Sequence, residues 1–355
     1  MLERSCMIEF INLHQHSTLG SHDSHSQVED IVKHISTLNQ SASALTEHGS
    51  MSSAIRFYTG CKKYNIKPIL GLEAYICPNQ KSATEKSPDN RKLNHFVLLA
   101  KNKIGYQNLL KLVYLSNQPT HYYYKPRIDE SMLFEHSEGV IAINGHYDTA
   151  LFDQLIFNMG AASKCKTVDE ARELLFPDYK AKLLPIATRY REVFGEDFYI
   201  ECQLFDRGDV VQQLTATTLY EFAREFGFKA VGTGDCHYIA PKDAPAHKTY
   251  VAIKQNSKVK SLPDIGYFNS DTYCIITNER AQECYPEELI LATQEIASKV
   301  EEYEIIGPQK IPRSYPAGKT AIQEVKDLCE AKLKETGKWN DEYCKRLEYL
   351  SLIHI

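Results

Sequence analysis

Short runs rich in Val, Ile, Leu and Phe alternate along the chain with stretches whose apolar residues recur every three to four positions. The first pattern suits buried strands and the second amphipathic helices. The runs place strands at 8–13, 42–46, 68–76, 96–100, 140–144, 198–204 and 230–234. The periodic stretches place helices at 28–38, 54–64, 106–115, 150–157, 179–194, 210–226, 244–254 and 287–300, with a short extra strand at 273–277. Seven strands alternating with helices predict an α/β fold around a parallel sheet, wound open or closed into a barrel.

Two segments break the rhythm. Residues 79–91 are polar and predict an exposed loop. After Ile306 the run GPQKIPRSYPAGK carries three prolines and two glycines, a linker composition. The polar helical stretches beyond it, 322–333 and 343–352, are too small for a core of their own. The division expected is 1–305 as the working domain and 306–355 as linker and tail.

With 355 residues, 43% hydrophobic and 25% charged, the chain is long enough for one large core or two smaller ones, and length alone does not decide between them. A net charge of −5 gives no general affinity for a nucleic-acid backbone. No apolar stretch of about 18 residues is present, which excludes the usual membrane helix. The N-terminal segment lacks the apolar region and small-residue cleavage site of a secretory signal. Ten cysteines are scattered without a C-x-x-C pair, which fits neither a disulfide framework nor a thiolate zinc site. A reduced, cytoplasmic setting is expected.

Histidines and acids collect after the predicted strands. His14 and His16 follow the first, Glu47 and His48 the second; Glu73 lies in the third; His146 follows the fifth; Asp235 and His237 follow the seventh. In a parallel α/β fold these ends share one rim, where ligands and catalytic groups gather. His95 opens its strand and is the exception. His22 and Asp23, adjacent in the loop after the first strand, each suit a further ligand.

Imidazole mixed with carboxylate suits Zn²⁺, Mn²⁺ or Fe²⁺. One ion takes about three to four protein ligands, so about eight or nine donors point to two or three ions. Such clusters clamp the oxygens of a phosphoryl group and acidify bound water. A lone H-x-H or strand-end histidine is weak evidence; several strand ends each delivering His, Asp or Glu is strong. His25 and His34, in or just before an amphipathic helix, are expected to be solvated; His121, His136 and His247 have no acid or imidazole at ligand spacing along the sequence.

Walker, dinucleotide-binding and G-x-S-x-G motifs are all absent. The segment HYYYKPRID, 121–129, interleaves aromatics with Lys125 and Arg127. It suits either a phosphate or single-strand contact or a packed tyrosine-rich loop.

LHQHS, ALTEHGSM, NIKPILGLEAY, HFVLLAKNKIGYQNLLKL, YKPRID and TGDCHY, in this order, resemble the successive motifs of the PHP (polymerase and histidinol phosphatase) domain of bacterial C-family replicative polymerases, the DNA polymerase III α subunits. The resemblance covers roughly 8–305. It implies a distorted seven-stranded β/α barrel (PHP fold) holding two to three divalent ions, Zn, Mn or Fe. The ligand set it implies is His14, His16, Asp23, His48, Glu73, His95, His146, Asp235 and His237, with His48, Asp235 and His237 catalytic. Asp23 rather than His22 is implied because an ungapped match puts the family's acid there.

Three departures stand out: Glu47 where the family usually has Asp, Gly234 where Asn is common, and His146 where many members have Cys. The ligand set remains intact, which by analogy favours activity.

The resemblance implies a metal-dependent phosphoesterase of the 3′–5′ exonuclease type acting on a DNA 3′ end or single strand. Lys125 and Arg127 are its phosphate contacts, and the rest of the polymerase and the replisome are its partners. The tail resembles the entry to the polymerase palm, so DNA synthesis by this chain alone is not expected. Two rival expectations are a metal-stabilised scaffold that docks polymerase or exonuclease subunits, and a histidinol-phosphatase-like phosphomonoesterase.

Overall fold

The computed structural model describes residues 8–20, 24–77, 93–257, 270–310 and 315–353. The loop expected at 79–91 and the pair His22 and Asp23 lie outside them. Two compact units emerge, Met1–Ile305 and Ile306–Ile355. The second holds helices Ala321–Glu335 and Asp341–Ile353; Thr320 and Gln323 form a capping box at the start of the first.

The first unit is built on a curled sheet of seven strands. These are β1 (Ala42–Leu45), β2 (Lys67–Cys77), β3 (Asn94–Ala100), β4 (Ile128–Asp129), β5 (Val140–Asn144), β6 (Phe198–Cys202) and β7 (Ala230–Gly232). The order is β1-β2-β3-β5-β6-β7, with β4 paired to β2. All pairings are parallel except those of β3, which runs against both β2 and β5. This corrects the expectation of a parallel sheet.

The run at 8–13 is not a strand. Its N–H groups are taken by distant side chains: Phe10 N donates to Asn278 Oδ1 at 2.9 Å and Ile11 N to Thr293 Oγ1 at 3.0 Å. The segment nevertheless ties the two edges of the sheet together. Ala44 N donates to the Asn12 carbonyl and Thr46 N to that of Gln15 on one side. His16 N donates to the Cys236 carbonyl, and Cys236 N to that of His14, on the other.

Two further expectations fail for related reasons. At 150–157 only a 3₁₀ turn forms, Phe152–Gln154, because Ile156 bridges to Leu175 and Phe157 N bonds the Leu174 carbonyl. The stretch 273–277 makes one bridge, Tyr238 to Cys274, and then Ile276 N turns to Asn12 Oδ1.

Side chains alternate across each strand, so one face lines the inside of the curl. Deep inside lie Ile69, Val97, Leu99, Ile141, Ile143, Tyr199 and Val231, all fully buried. The helix Glu287–Lys299 contributes Ile296 and Ala297 to the same cluster. Continuing along the same face, β2 passes from Ile69 to Glu73, β6 from Tyr199 to Glu201, and β7 from Val231 to Thr233 and on to Asp235. An apolar floor thus becomes a polar mouth within one strand length.

Ion pairs anchor that helix. Asp197 meets Lys101 Nζ at 2.6 Å and Lys299 Nζ at 2.9 Å. Burial works to raise the Asp197 pKa, but the two ammonium groups outweigh it and hold it below the usual value. A depressed carboxylate stabilises the fold above the unfolded pKa, near 3.9, and the effect fades as pH falls through the folded value. Asp197→Asn is therefore expected to cost about 1–2 kcal/mol near neutral pH. In urea unfolding, the gap from wild type should hold down to about pH 4 and shrink below it.

Candidate metal centre

Each donor reaches the mouth for a local reason. His14 and His16 sit on the edge-tying segment, held in register by the two backbone bonds to Cys236. His48 follows β1, and Gly49 N donates to the Glu73 carbonyl at 2.8 Å. Gly49 has φ +60°, and a Cβ there would meet Pro126 at 2.7 Å, so glycine is required where this turn packs on the KPR segment. His146 follows β5 beyond Gly145, and His237 follows β7. Asp235 itself has φ +46°, a left-handed backbone that Asp tolerates better than most residues. His95 joins the others because β3 is reversed: its first residues lie at the same mouth as the last residues of its neighbours, with His95 opposite Tyr75.

Glu73 is the centre. Its carboxylate lies 2.8 Å from His48 Nδ1, 3.0 Å from His146 Nε2, 3.1 Å from His16 Nε2, 3.1 Å from His95 Nδ1 and 3.3 Å from His14 Nε2. Asp235 Oδ1 lies 3.3 Å from His16 Nε2 and 3.4 Å from His237 Nδ1. Eight of the nine sequence-derived ligands therefore gather in one place, and Asp23 lies outside the described residues.

Glu201 was missed. It is fully buried, accepts from Thr233 Oγ1, and holds His14 Nδ1 at 2.9 Å while its other oxygen holds His146 Nδ1. Both rings are thereby fixed with Nε2 turned towards Glu73. That is how a carboxylate behind a metal-binding imidazole sets its tautomer. The only sequence signal was an acid inside the apolar run FYIECQL.

The electrostatics call for positive charge. Burial pushes the His14 imidazole down, but Glu73, Asp235 and Glu201 outweigh it and lift its pKa to about 10. For His146 the Glu201 and Glu73 carboxylates likewise override burial, giving about 9. Burial works against ionisation of Glu73, Glu201 and Asp235, yet the imidazoles hold all three well below the carboxylate range. His95 goes the other way: burial prevails over the pull of Glu73 and keeps its ring neutral. Divalent cations would satisfy the same carboxylates and displace the imidazole protons.

The donors fit that role. His14 Nε2, both ring nitrogens of His16 and Glu73 Oε2 are buried and make no well-formed hydrogen bond, although His14 Nε2 and His16 Nε2 both face Glu73 Oε2. Among the described residues four groups can hold an ion: His16, His48 and His237; His14, His16 and Glu73; His14, His146 and Glu201; His48, Glu73 and His95. The shared members tie all four into one cluster.

The departures find their places. Glu47 turns away from the cluster: its carboxylate accepts from the Ser17 amide at 3.1 Å and from the Ser17 hydroxyl, so the longer side chain anchors the turn after His16. At Gly234 a Cβ would meet Ile276 Cδ1 at 2.7 Å, so Ile276 occupies the space an asparagine would need. Lys125 places Nζ 4.1 Å from the Tyr75 ring centroid, and Tyr75 stacks on His48 at 5.6 Å. Arg127 is buried, its Nε donating to the Tyr123 carbonyl at 3.2 Å. His247 is buried as well, with its ring 5.6 Å from that of His237.

The PHP domain model matches residues 12–204, more than half of the chain. DNA polymerase III subunit alpha of Borreliella burgdorferi is 33% identical over 308 residues, covering 86% of this chain and 25% of that protein. The Helicobacter pylori protein of the same name is 32% identical over 320 residues, 87% of this chain and 24% of that one. That of Thermus aquaticus is 31% identical over 336 residues, 90% and 25% respectively. The chain spans about a quarter of the length of these curated relatives. The curled sheet, the reversed third strand that brings His95 to the mouth, and the motif-by-motif match carry one conclusion: the chain belongs to the PHP domain family.

Proposed function

We propose that this chain is the PHP part of a bacterial DNA polymerase III α subunit, acting in the cytoplasm during replication. It hydrolyses phosphodiesters at DNA 3′ ends as a metal-dependent proofreading exonuclease. One observation carries the reading: imidazoles from four segments converge on Glu73, and Glu201, Asp235 and His237 join through them, in a donor set sized for more than one divalent ion. His14, His16, Asp23, His48, Glu73, His95, His146, Asp235 and His237 would hold two or three ions of Zn, Mn or Fe. When bound, such ions supply Lewis-acid stabilisation of the charge that develops on a phosphoryl group and acidify bound water.

The chain's own residues supply the rest. Glu201 fixes the His14 and His146 tautomers. His48 and His95, the partly exposed imidazoles at 10% and 20% side-chain exposure, form the face a substrate meets. His48, Asp235 and His237 line the catalytic side. Lys125 brings positive charge beside Tyr75. Similarity to relatives named as polymerase α subunits supports the replication setting, with DNA and the remaining replisome subunits as partners.

Burial favours a second reading. His14, His146 and Glu201 form a corner sealed from solvent, which suits an ion that stabilises a scaffold docking polymerase or exonuclease subunits.

Digestion of 3′-labelled and 5′-labelled single-stranded DNA with Mn²⁺ or Zn²⁺ tests both. Wild type is expected to shorten DNA from the 3′ end. His48→Ala and Asp235→Ala should lose on the order of 10³-fold, equivalent to several kcal/mol of lost charge stabilisation. Activity that persists in excess chelator overturns the metal mechanism. No digestion by metal-loaded wild type, with a melting temperature that drops on chelation, leaves the scaffold. Turnover of phosphate monoesters with indifference to DNA would favour the phosphomonoesterase.

Glu201→Gln should weaken metal binding by roughly 10- to 100-fold, the usual cost of losing a carboxylate behind a ligating imidazole. Competition with a chromogenic chelator reads the change; unchanged affinity would remove Glu201 from the site.

A further inference from the structure

Beside His95 the mouth carries a feature that ion binding does not require. Tyr122–Tyr123 and Lys125–Pro126 pair as a minimal antiparallel hairpin, Tyr122 opposite Pro126 and Tyr123 opposite Lys125. Tyr124 alone forms the tip. Its φ is +60°, a conformation natural to glycine and unfavourable for a bulky ring. An aromatic side chain stands where the backbone favours glycine, and it is open to solvent: Tyr124 is 82% exposed.

The hairpin is braced from behind. The Tyr123 ring meets that of Tyr124 edge-on at 4.7 Å. The Arg127 guanidinium lies over the Tyr123 ring at 5.1 Å while its Nε holds the Tyr123 carbonyl. Arg127, expected as a phosphate contact, is thus a buried prop of the aromatic pair. The exposed cation is Lys125, set over Tyr75, whose ring also meets His95 at 5.3 Å.

A cavity of about 590 Å³ runs along this wall. His95, Tyr123, Tyr124, Lys125, Arg127 and Asp148 line it, with Asp148 the acid among them. That volume is within the range of small-ligand pockets. Its walls combine an open aromatic face, a lysine and, through His95, the candidate metal centre. Aromatic platforms beside positive charge are how proteins hold single strands without regard to sequence, because every base offers a π-face.

We propose that Tyr124 is a stacking platform for the base adjoining the scissile phosphodiester, with Lys125 beside the backbone phosphate. This rests on the phosphodiesterase reading above and names its substrate: an unpaired strand end, in preference to a duplex or a phosphate monoester. Tyr123 and Arg127 are positioning residues that act by holding Tyr124.

The probe is a fluorescein-labelled ten-residue oligothymidylate with phosphorothioate linkages, titrated into the metal-loaded full chain and read by anisotropy. These linkages resist hydrolysis, so the result does not depend on whether the site cleaves. Tyr124→Gly suits the backbone at the tip, so its melting temperature should equal or exceed that of wild type. Its affinity for the oligonucleotide should fall roughly 5- to 100-fold, the value of one base–aromatic stack. Tyr124→Trp should restore binding. An abasic strand of the same length should bind wild type about as weakly as the oligothymidylate binds Tyr124→Gly.

Unchanged affinity in Tyr124→Gly, or equal binding of abasic and base-bearing strands by wild type, would overturn the proposal. Base-dependent binding through Tyr124 without DNA digestion would uphold the platform and sink the nuclease.

Discussion

Glu73 is a carboxylate buried at the mouth of an apolar barrel, with five imidazoles within 3.3 Å of its two oxygens. A lone buried charge of this kind costs several kcal/mol. The fold compensates by delivering positive or metal-ready groups from the edge-tying segment, the end of β1, the start of β3 and the end of β5. The backbone enforces the same convergence: Gly49 N and the Glu47 carbonyl bond Glu73 on either side, so the β1 end cannot drift from the carboxylate. Glu201 does for the deeper corner what Glu73 does for the mouth. The two acids together impose an order on the histidines.

The architecture makes this economical. On β2 one face passes from Ile69 to Glu73, and the same faces of β7 and β6 pass from Val231 to Asp235 and from Tyr199 to Glu201. The lower layer excludes water and the helix Glu287–Lys299 packs against it. The upper layer places charge where the low dielectric below strengthens every electrostatic contact. A preorganised donor set costs little reorganisation when an ion binds. The adjoining wall, from Tyr75 through Lys125 to Tyr124, grades from metal centre to exposed aromatic.

Much of the site was legible because the strand-end rule is physical: His14, His16, His48, His146, Asp235 and His237 all follow extended segments, and extended segments aligned in parallel end on one rim. His95 defied the rule only because β3 is reversed. The clue was present, since 79–91 is polar where a parallel crossover needs a helix. The run at 8–13 read as a strand because apolar alternation does not reveal what its N–H groups bond. The answers, Asn278 and Thr293, lie more than 260 residues away. Glu201 belongs to no motif; a buried acid declares itself only when the imidazoles beside it are known. Arg127 was expected as a phosphate contact from its place among the tyrosines of 121–129, and a sequence pattern does not show that it is buried with Nε on the Tyr123 carbonyl. Ile276 beside Gly234 explains one departure from the family pattern, and no local spacing could have shown it.

If Glu73 organises the cluster as proposed, the cluster binds more than one ion. X-ray diffraction above and below the Zn and Mn absorption edges, on crystals grown with each metal, measures this directly. Two or three anomalous peaks within bonding distance of the His14, His16, His48, His95, His146 and Glu73 donor atoms are the expected result. A single peak remote from Glu73, or no peak with the imidazoles still bonded to the carboxylates, would contradict it.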